Sequence, residues 1–233
     1  MLTLLTFPPS FDTPSHSPFC TKAIALLHLS GEAWQPKYLT NPTKMPLGRL
    51  PVLRTQDGQT IPDSAHIQAY LETKGHEFDK GLSQQDRAHS HALIRMTEQH
   101  LTAGMAHERW LRNDCWPTVR SAFFGELPAV LRLPIATMMR AKVRRGLTSH
   151  GIAQFSEEDR LTRLGKDLSA IKATLNGKPF LFADHPTAAD AAIAPVLDMI
   201  RNLPCDTGLR RLVQENAALM AYVHRARAAL YPQ

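Results

Sequence analysis

The segment Ser17-Pro18-Phe19-Cys20 sets a hydroxyl and a thiol three residues apart, where a polar loop, Ser10 to His16, gives way to a helical pattern. A helix start carries unpaired N–H groups and a partial positive potential, which hold an anion and favour thiolate over thiol. In a dithiol oxidoreductase the attacking sulfur is the first residue of Cys-x-x-Cys. That place is Ser17 here, so two-thiol exchange within the motif is excluded. Ser17 can instead hydrogen-bond to the thiol of a bound small molecule and hold it deprotonated. The same residue types also suit an ordinary helix cap at Ser17 and a small core residue at Cys20. Two further features stand beside it. Leu50-Pro51 precedes a strand; X-Pro bonds are cis in only about 5–6% of cases, so residue types alone favour trans, whereas a cis bond turns the Leu50 backbone outward to pair with an extended peptide. Asp63-Ser64 opens a helix. It can take a carboxylate through the Ser64 hydroxyl and backbone N–H and an ammonium through Asp63, or serve as a plain cap. Taken together, the three can each hold one part of a short anionic peptide.

The elements that must position these groups follow from breaks and periodicity. Leu2 to Phe7 is a short apolar run stopped by Pro8-Pro9, as a buried strand would be. Ser17-Pro18 starts a helix carrying Phe19, Ala23, Leu26 and Leu27, and Ser30-Gly31 ends it. Trp34 to Leu39 and Pro51 to Arg54 read as strands, and the turn Gln56-Asp57-Gly58 folds Thr60-Ile61 back as a hairpin. A second helix follows with Ile67, Tyr70 and Leu71 inward. The order β-α-β, connection, β-β-α within about 75 residues is the thioredoxin-like order. Beyond Gly75 to Gly81 every segment is helical: a long Ser83–Asn113 helix, then Trp116–Leu133 and Pro134–Leu147 parted by proline. Next come a helix capped by Ser156 and Asp159, another capped by Thr187 and Asp190, and a last one joining Met220, Val223 and Leu230. The expected fold is an α/β thioredoxin-like domain over residues 1–78 and an all-α domain over 82–233. Thr187 and Asp190 are assigned a structural role.

Composition narrows the function classes. The chain has 233 residues, 43% hydrophobic and 21% charged, with 27 Lys plus Arg against 21 Asp plus Glu. That excess of six is mild and lacks the dense basic blocks of a nucleic-acid binder. Cys20, Cys115 and Cys205 are too far apart for a zinc motif, so no metal is expected. Their odd number gives no disulfide framework and suits a reducing cytoplasm. Neither a signal peptide nor a membrane span is read.

The first 75 residues resemble the glutathione-binding domain of cytosolic glutathione transferases through SPFCTKAIALLHLSG, PLGRLPVL and IPDSAHIQAYLE. KPFLFADHPTAADAAIAPVL resembles that family's capping-box helix with its buried aspartate. SPFC, MTEQHLTAGMAHERW and the last segment look most like the metaxin-like and failed-axon-connections branch. The resemblance implies that Ser17 occupies the active-cysteine position of omega-like members and Cys20 the second-cysteine position of glutaredoxins. It implies that Leu50 bonds the cysteinyl backbone of glutathione with Pro51 cis, that Asp63 and Ser64 hold the γ-glutamyl end, and that Arg49 reaches the glycyl carboxylate. Phe7 stands where a tyrosine would serve tyrosine-type activation.

The leading expectation is a glutathione transferase in which Ser17 and the helix start stabilise the glutathione thiolate for attack on a small hydrophobic electrophile. Lowering a thiol pKa from near 8.5 to between about 6 and 7 raises the thiolate from a few per cent to about half or more at pH 7. Met105, Trp110 and Trp116 are the expected walls for the electrophile, although each also suits helix packing. A second expectation is an interaction protein with weak or no catalysis, docking through Arg140, Lys142, Arg144 and Arg145 on an acidic partner or membrane surface. A third is glutathione-dependent reduction through Cys20. Pairing into a homodimer is implied by the family.

Overall fold

The computed structural model describes residues 1–231. Four strands form one mixed sheet: β1 (Leu2–Thr6), β2 (Trp34–Tyr38), β3 (Val52–Arg54) and β4 (Thr60–Pro62), in the order β2-β1-β3-β4. β1 runs parallel to β2, whose Pro36 stands opposite Leu4, and antiparallel to β3, with Leu5 opposite Val52. β4 is antiparallel to β3 and sets Pro62 opposite Val52. The crossover helix α1 (Pro18–Ser30) has proline at its first position and ends at Gly31, whose φ of 69° supplies the left-handed residue that closes a helix. Helix α2 (Ser64–Thr73) follows β4 directly.

From Gln84 onward every element is helical. The expected long helix is one run made of α3 (Gln84–Met96), a π-helical turn (Thr97–Leu101) and α4 (Thr102–Leu111). Helix α5 (Trp116–Phe124) is short. Helix α6 (Ala129–His150) corrects the expected break at Pro134: the proline lies inside it, in the second turn, where only one intrahelical bond, to the start of the helix, is lost. Then come α7 (Glu157–Leu175), α8 (Ala188–Arg201), α9 (Gly208–Gln214) and α10 (Ala217–Leu230). The sequence reading did not separate α9.

Helix α8 is the centre of the helical part. From Ala188 to Ile200 every residue is buried, the pattern of a helix that is apolar all round and packed on all sides. Its start is held by a capping box whose carboxylate, Asp190, accepts from Thr187 N and Oγ1 at 2.8 Å, Leu181 N at 3.0 Å and Tyr222 Oη at 2.8 Å. Four donors converge on two oxygens, so the carboxylate needs no water, as expected for a structural role.

One ion pair crosses between the sheet domain and the helical part in the core. Lys22 of α1 gives Nζ to Glu98 of the π-turn at 2.8 Å, with both side chains almost inaccessible. Burial and the neighbouring Arg95 hold the Lys22 ammonium down to about 8. Among the described residues no helix is long and apolar enough to cross a membrane.

Candidate functional site

Ser17, Leu50-Pro51 and Asp63-Ser64 gather at one end of the sheet because of its register. β1 ends at Thr6, beside the start of β3, and β3 ends its pairing with β4 at Pro62. The Leu50–Pro51 bond is cis, and the Pro51 carbonyl accepts from Asp63 N at 3.0 Å, tying the second feature to the third. Asp63 has φ 75°, a conformation rare for a residue with a side chain, and caps α2 by accepting from Ala65 N at 2.9 Å. Ser64 is buried beside it, and Arg49 is exposed.

Ser17 occupies the N-cap position of α1, yet its side chain makes no capping hydrogen bond. Its carbonyl takes the amide and hydroxyl of Thr21, and the residue lines a cavity. The Ser17 side chain therefore does not serve as the cap: the backbone takes that place, and the hydroxyl lies beside the Cys20 thiol. Cys20 is fully buried among Leu5, Leu50 and Val52. Burial pushes its thiol up, partly offset by hydrogen bonds from the Phe7 backbone and the Thr6, Ser15 and Ser17 side chains. A buried, protonated thiol is a poor nucleophile, so the structure does not support the reduction chemistry expected of Cys20.

The cavity beside Ser17 measures about 300 Å³ and lies between the two parts of the chain. Phe7, Ser17 and Phe19 form one wall, and Met105, Arg109 and Trp110 of α4 the other. Thr102, Met105 and Arg109 step by three and four residues, and Thr102, Ala106 and Trp110 by four, so one side of the helix supplies the wall. Phe123 and Phe124 of α5 close the end. Met105 and Trp110, two of the three expected walls, line this cavity. Trp116 does not: it is buried behind Trp110, ring centroids 5.6 Å apart, against Val119 and Ala136. A more open depression of about 560 Å³ lined by Trp34, Tyr38 and Arg227 holds none of the sequence-derived candidates.

The loop before Ser17 is pinned by two arginines from the helical part. Phe11 and Asp12 both have positive φ and form a tight two-residue turn closed by Ser10 and Thr13. Arg227 of α10 grips Asp12, and Arg109 Nη1 donates to the His16 carbonyl at 2.9 Å. The His16 ring stacks on Phe123 at 4.3 Å, and burial together with Arg109 pulls its pKa down to about 4, so it is neutral at physiological pH.

Two models describe most of the chain: a glutathione S-transferase N-terminal domain over residues 18–115 and a glutathione S-transferase C-terminal domain over residues 164–226. The chain belongs to the glutathione S-transferase superfamily. Among its relatives, the isoprene-epoxide–glutathione S-transferase of Rhodococcus sp. (strain AD45) is 29% identical over 97% of this chain and 98% of its own length. Failed axon connections of Drosophila melanogaster is 30% identical over 94% of this chain but only 55% of its own length. Metaxin-1 of Sus scrofa is 25% identical over 73% of this chain and 56% of its own length. The fold is that of solved transferase-like structures: a beta-etherase from Sphingobium sp. strain SYK-6 aligns at TM-score 0.65 with 16% identity, covering 97% of this chain and 95% of that one. A glutathione transferase from Phanerochaete chrysosporium aligns at 0.63 with 18% identity, covering 98% and 96%.

Two expectations, on the cysteines and on the basic stretch, are corrected. Cys115 and Cys205 form a disulfide with Cα atoms 5.2 Å apart, joining the start of α5 to the segment before α9. Sequence distance hid this pair, because a separation of 90 positions returns the chain to the same place. The Asp114 carboxylate lies within 4.8 Å of both sulfurs, but sulfurs bonded to each other are no thiolate pair for a metal. The basic stretch of α6 is not a uniform docking face either. Arg140 is turned inward, donating to the carbonyls of Trp110 at 2.8 Å and Leu111 at 3.0 Å, and stacks on Trp116. It closes the carbonyl end of α4. Lys142, Arg144 and Arg145 remain exposed.

The sequence reading passed over Arg109 and His16. The signal for Arg109 was its place four residues beyond Met105, on the same helical face.

Proposed function

We propose that this chain is a glutathione transferase that joins the thiol of glutathione to a small hydrophobic electrophile. The observation that carries the reading is Ser17, which lines an apolar cavity at the start of α1 and whose side chain makes no capping bond. Glutathione lies along the backbone of Leu50-Pro51, its γ-glutamyl end at Asp63-Ser64 and its glycyl carboxylate toward Arg49. The thiol proton leaves to water. Ser17 donates a hydrogen bond to the sulfur, and the first amides of α1 add their positive potential. The electrophile sits against Met105 and Trp110. The Rhodococcus relative, alike over nearly its whole length and named for this chemistry, supports the reading. Calorimetry with glutathione should show binding, and Ser17→Ala should retain binding while losing about 10²-fold in conjugation. Unchanged turnover in Ser17→Ala removes the mechanism; no heat with millimolar glutathione removes the reading.

A second reading, a transferase-like interaction protein in the cytoplasm, is favoured by the outer face of α6. Val130, Leu131, Leu133 and Met138 are exposed there, next to Arg144 and Arg145. The failed-axon-connections and metaxin-1 relatives, of which this chain spans just over half, support it. Charge substitution at Leu131 and Met138 should leave conjugation intact and abolish pairing or partner capture if that face is the interface.

A further inference from the structure

Arg109 is 3% exposed and lines the cavity beside Ser17, yet no carboxylate lines that cavity. Its acidic neighbour Glu108 points elsewhere, to Arg160 at 3.4 Å and Arg112 at 3.7 Å. Of the five guanidinium N–H groups, one hydrogen bond is formed among the described residues, from Nη1 to the His16 carbonyl, and Nε is buried without a partner. The rings of Phe11 and Phe123 lie 5.7 and 5.8 Å from the guanidinium carbon and hold it flat without neutralising it. His16, the other titratable group of the cavity, is uncharged. Two turns earlier on α4, Thr102 also lines the cavity, and its Oγ1 is buried without a partner. A buried cation and a buried hydroxyl left open in an apolar pocket are costly unless a ligand completes them.

We infer that Arg109 is the group that receives the oxygen of the second substrate when that oxygen is, or becomes, anionic during conjugation, as in the opening of an epoxide on a small apolar skeleton. This rests on the transferase reading and adds a residue to it. The sulfur of glutathione gives its electron pair to a ring carbon, forming the C–S bond. The C–O bond breaks with its pair left on oxygen, which the Arg109 N–H groups hold until it takes a proton from water, replacing the one lost by the thiol. Arginine suits the task because it stays charged when buried and presents its donors as a fork. The position also separates it from the glutathione side: Leu50, Pro51, Asp63 and Ser64 do not line this cavity, whereas Arg109 lies between Phe11 and the α5 aromatics.

The test compares styrene oxide with benzyl chloride, which share a phenyl ring but of which only the first develops an oxyanion. In Arg109→Leu the ratio of kcat/KM for styrene oxide over benzyl chloride should fall about 10²-fold, and Arg109→Lys should recover part of it. An equal fall for both substrates, or a raised pKa of bound glutathione read by ultraviolet thiolate absorbance, assigns Arg109 to the fold or to the sulfur and overturns the proposal. Native protein offers a measurement independent of any variant and of catalysis. Cinnamate should quench tryptophan fluorescence at concentrations at least about tenfold lower than cinnamyl alcohol, since a buried charge-assisted pair is the stronger contact. Equal affinity overturns the oxygen site. If native protein neither binds nor turns over glutathione while cinnamate binds selectively, the transferase reading fails and the anion site of Arg109 stands.

Discussion

Arg227 clasps Asp12 with both ends of its guanidinium, Nη1 to Oδ2 at 2.8 Å and Nη2 to Oδ1 at 2.9 Å. The clasp joins the last helix to the loop that delivers Ser17, 215 residues apart in sequence. Arg227 is itself steadied by Asp198 of α8 at 3.4 Å. Because Asp12 is largely exposed, the pair contributes little to stability, about 1 kcal/mol or less. Its effect is on position. Arg227→Ala should lower kcat/KM for conjugation about tenfold with a thermal midpoint close to native, since small misplacements of a reacting group are costly. A variant with native kinetics would show that the loop holds its shape without the clasp.

The buried pair Lys22–Glu98 should behave as a unit. Lys22→Met leaves Glu98 in the core with only half-exposed Arg95 and should cost about 3–5 kcal/mol in denaturant unfolding. Lys22→Met with Glu98→Leu should recover most of that loss, because two uncharged side chains remove the stranded carboxylate. Additive losses in the double variant would deny the coupling.

His16 makes acid stability depend on one ring. Its pKa is near 4 in the folded chain against 6.5 unfolded, so between those values the unfolded state binds more protons. The stability it contributes is complete above pH 6.5 and lost as pH falls through 4. Relative to His16→Phe, which keeps the stacking on Phe123, the native protein should lose up to about 2 kcal/mol over that window, less than the full shift because the ring is partly exposed. Parallel pH profiles for the two proteins would contradict the assignment.

The disulfide can be counted. Unreduced protein in denaturant should show one reactive thiol, Cys20, and reduced protein three. In the folded state Cys20 should resist alkylation, being sealed in the core. Cys205→Ser should lower stability by about 2–4 kcal/mol, since the bridge closes a long loop. Three thiols before reduction would show that Cys115 and Cys205 lie unbonded.

What could be read from the residues was local. Ser17-Pro18, Ser30-Gly31, Asp57-Gly58 and the Thr187/Asp190 box each act within a few residues, so they marked the ends of α1, the β3–β4 hairpin and α8. Ser17, Met105 and Trp110 were legible because one is a helix start and the others share a helical face. Pro134 misled because a proline in the second turn disrupts little, and periodicity does not say where a helix begins. Trp116, Arg140 and the cysteine pair depended on how α4, α5 and α6 lie across one another, which no spacing encodes. Arg109 was overlooked for a different reason. A basic residue on a helix is ordinarily solvated, and only the surrounding rings reveal that this one is not.

Both outer strands of the sheet carry a proline at a paired position, Pro36 in β2 and Pro62 in β4. A proline has no amide to give, and each strand is short, so neither border offers an unbroken row of donors to an incoming chain. The sheet is thereby closed to lateral growth. Copies of this protein, and strands from unfolded neighbours, must meet it through side chains on helices and loops, and its β-structure is a poor template for fibrils.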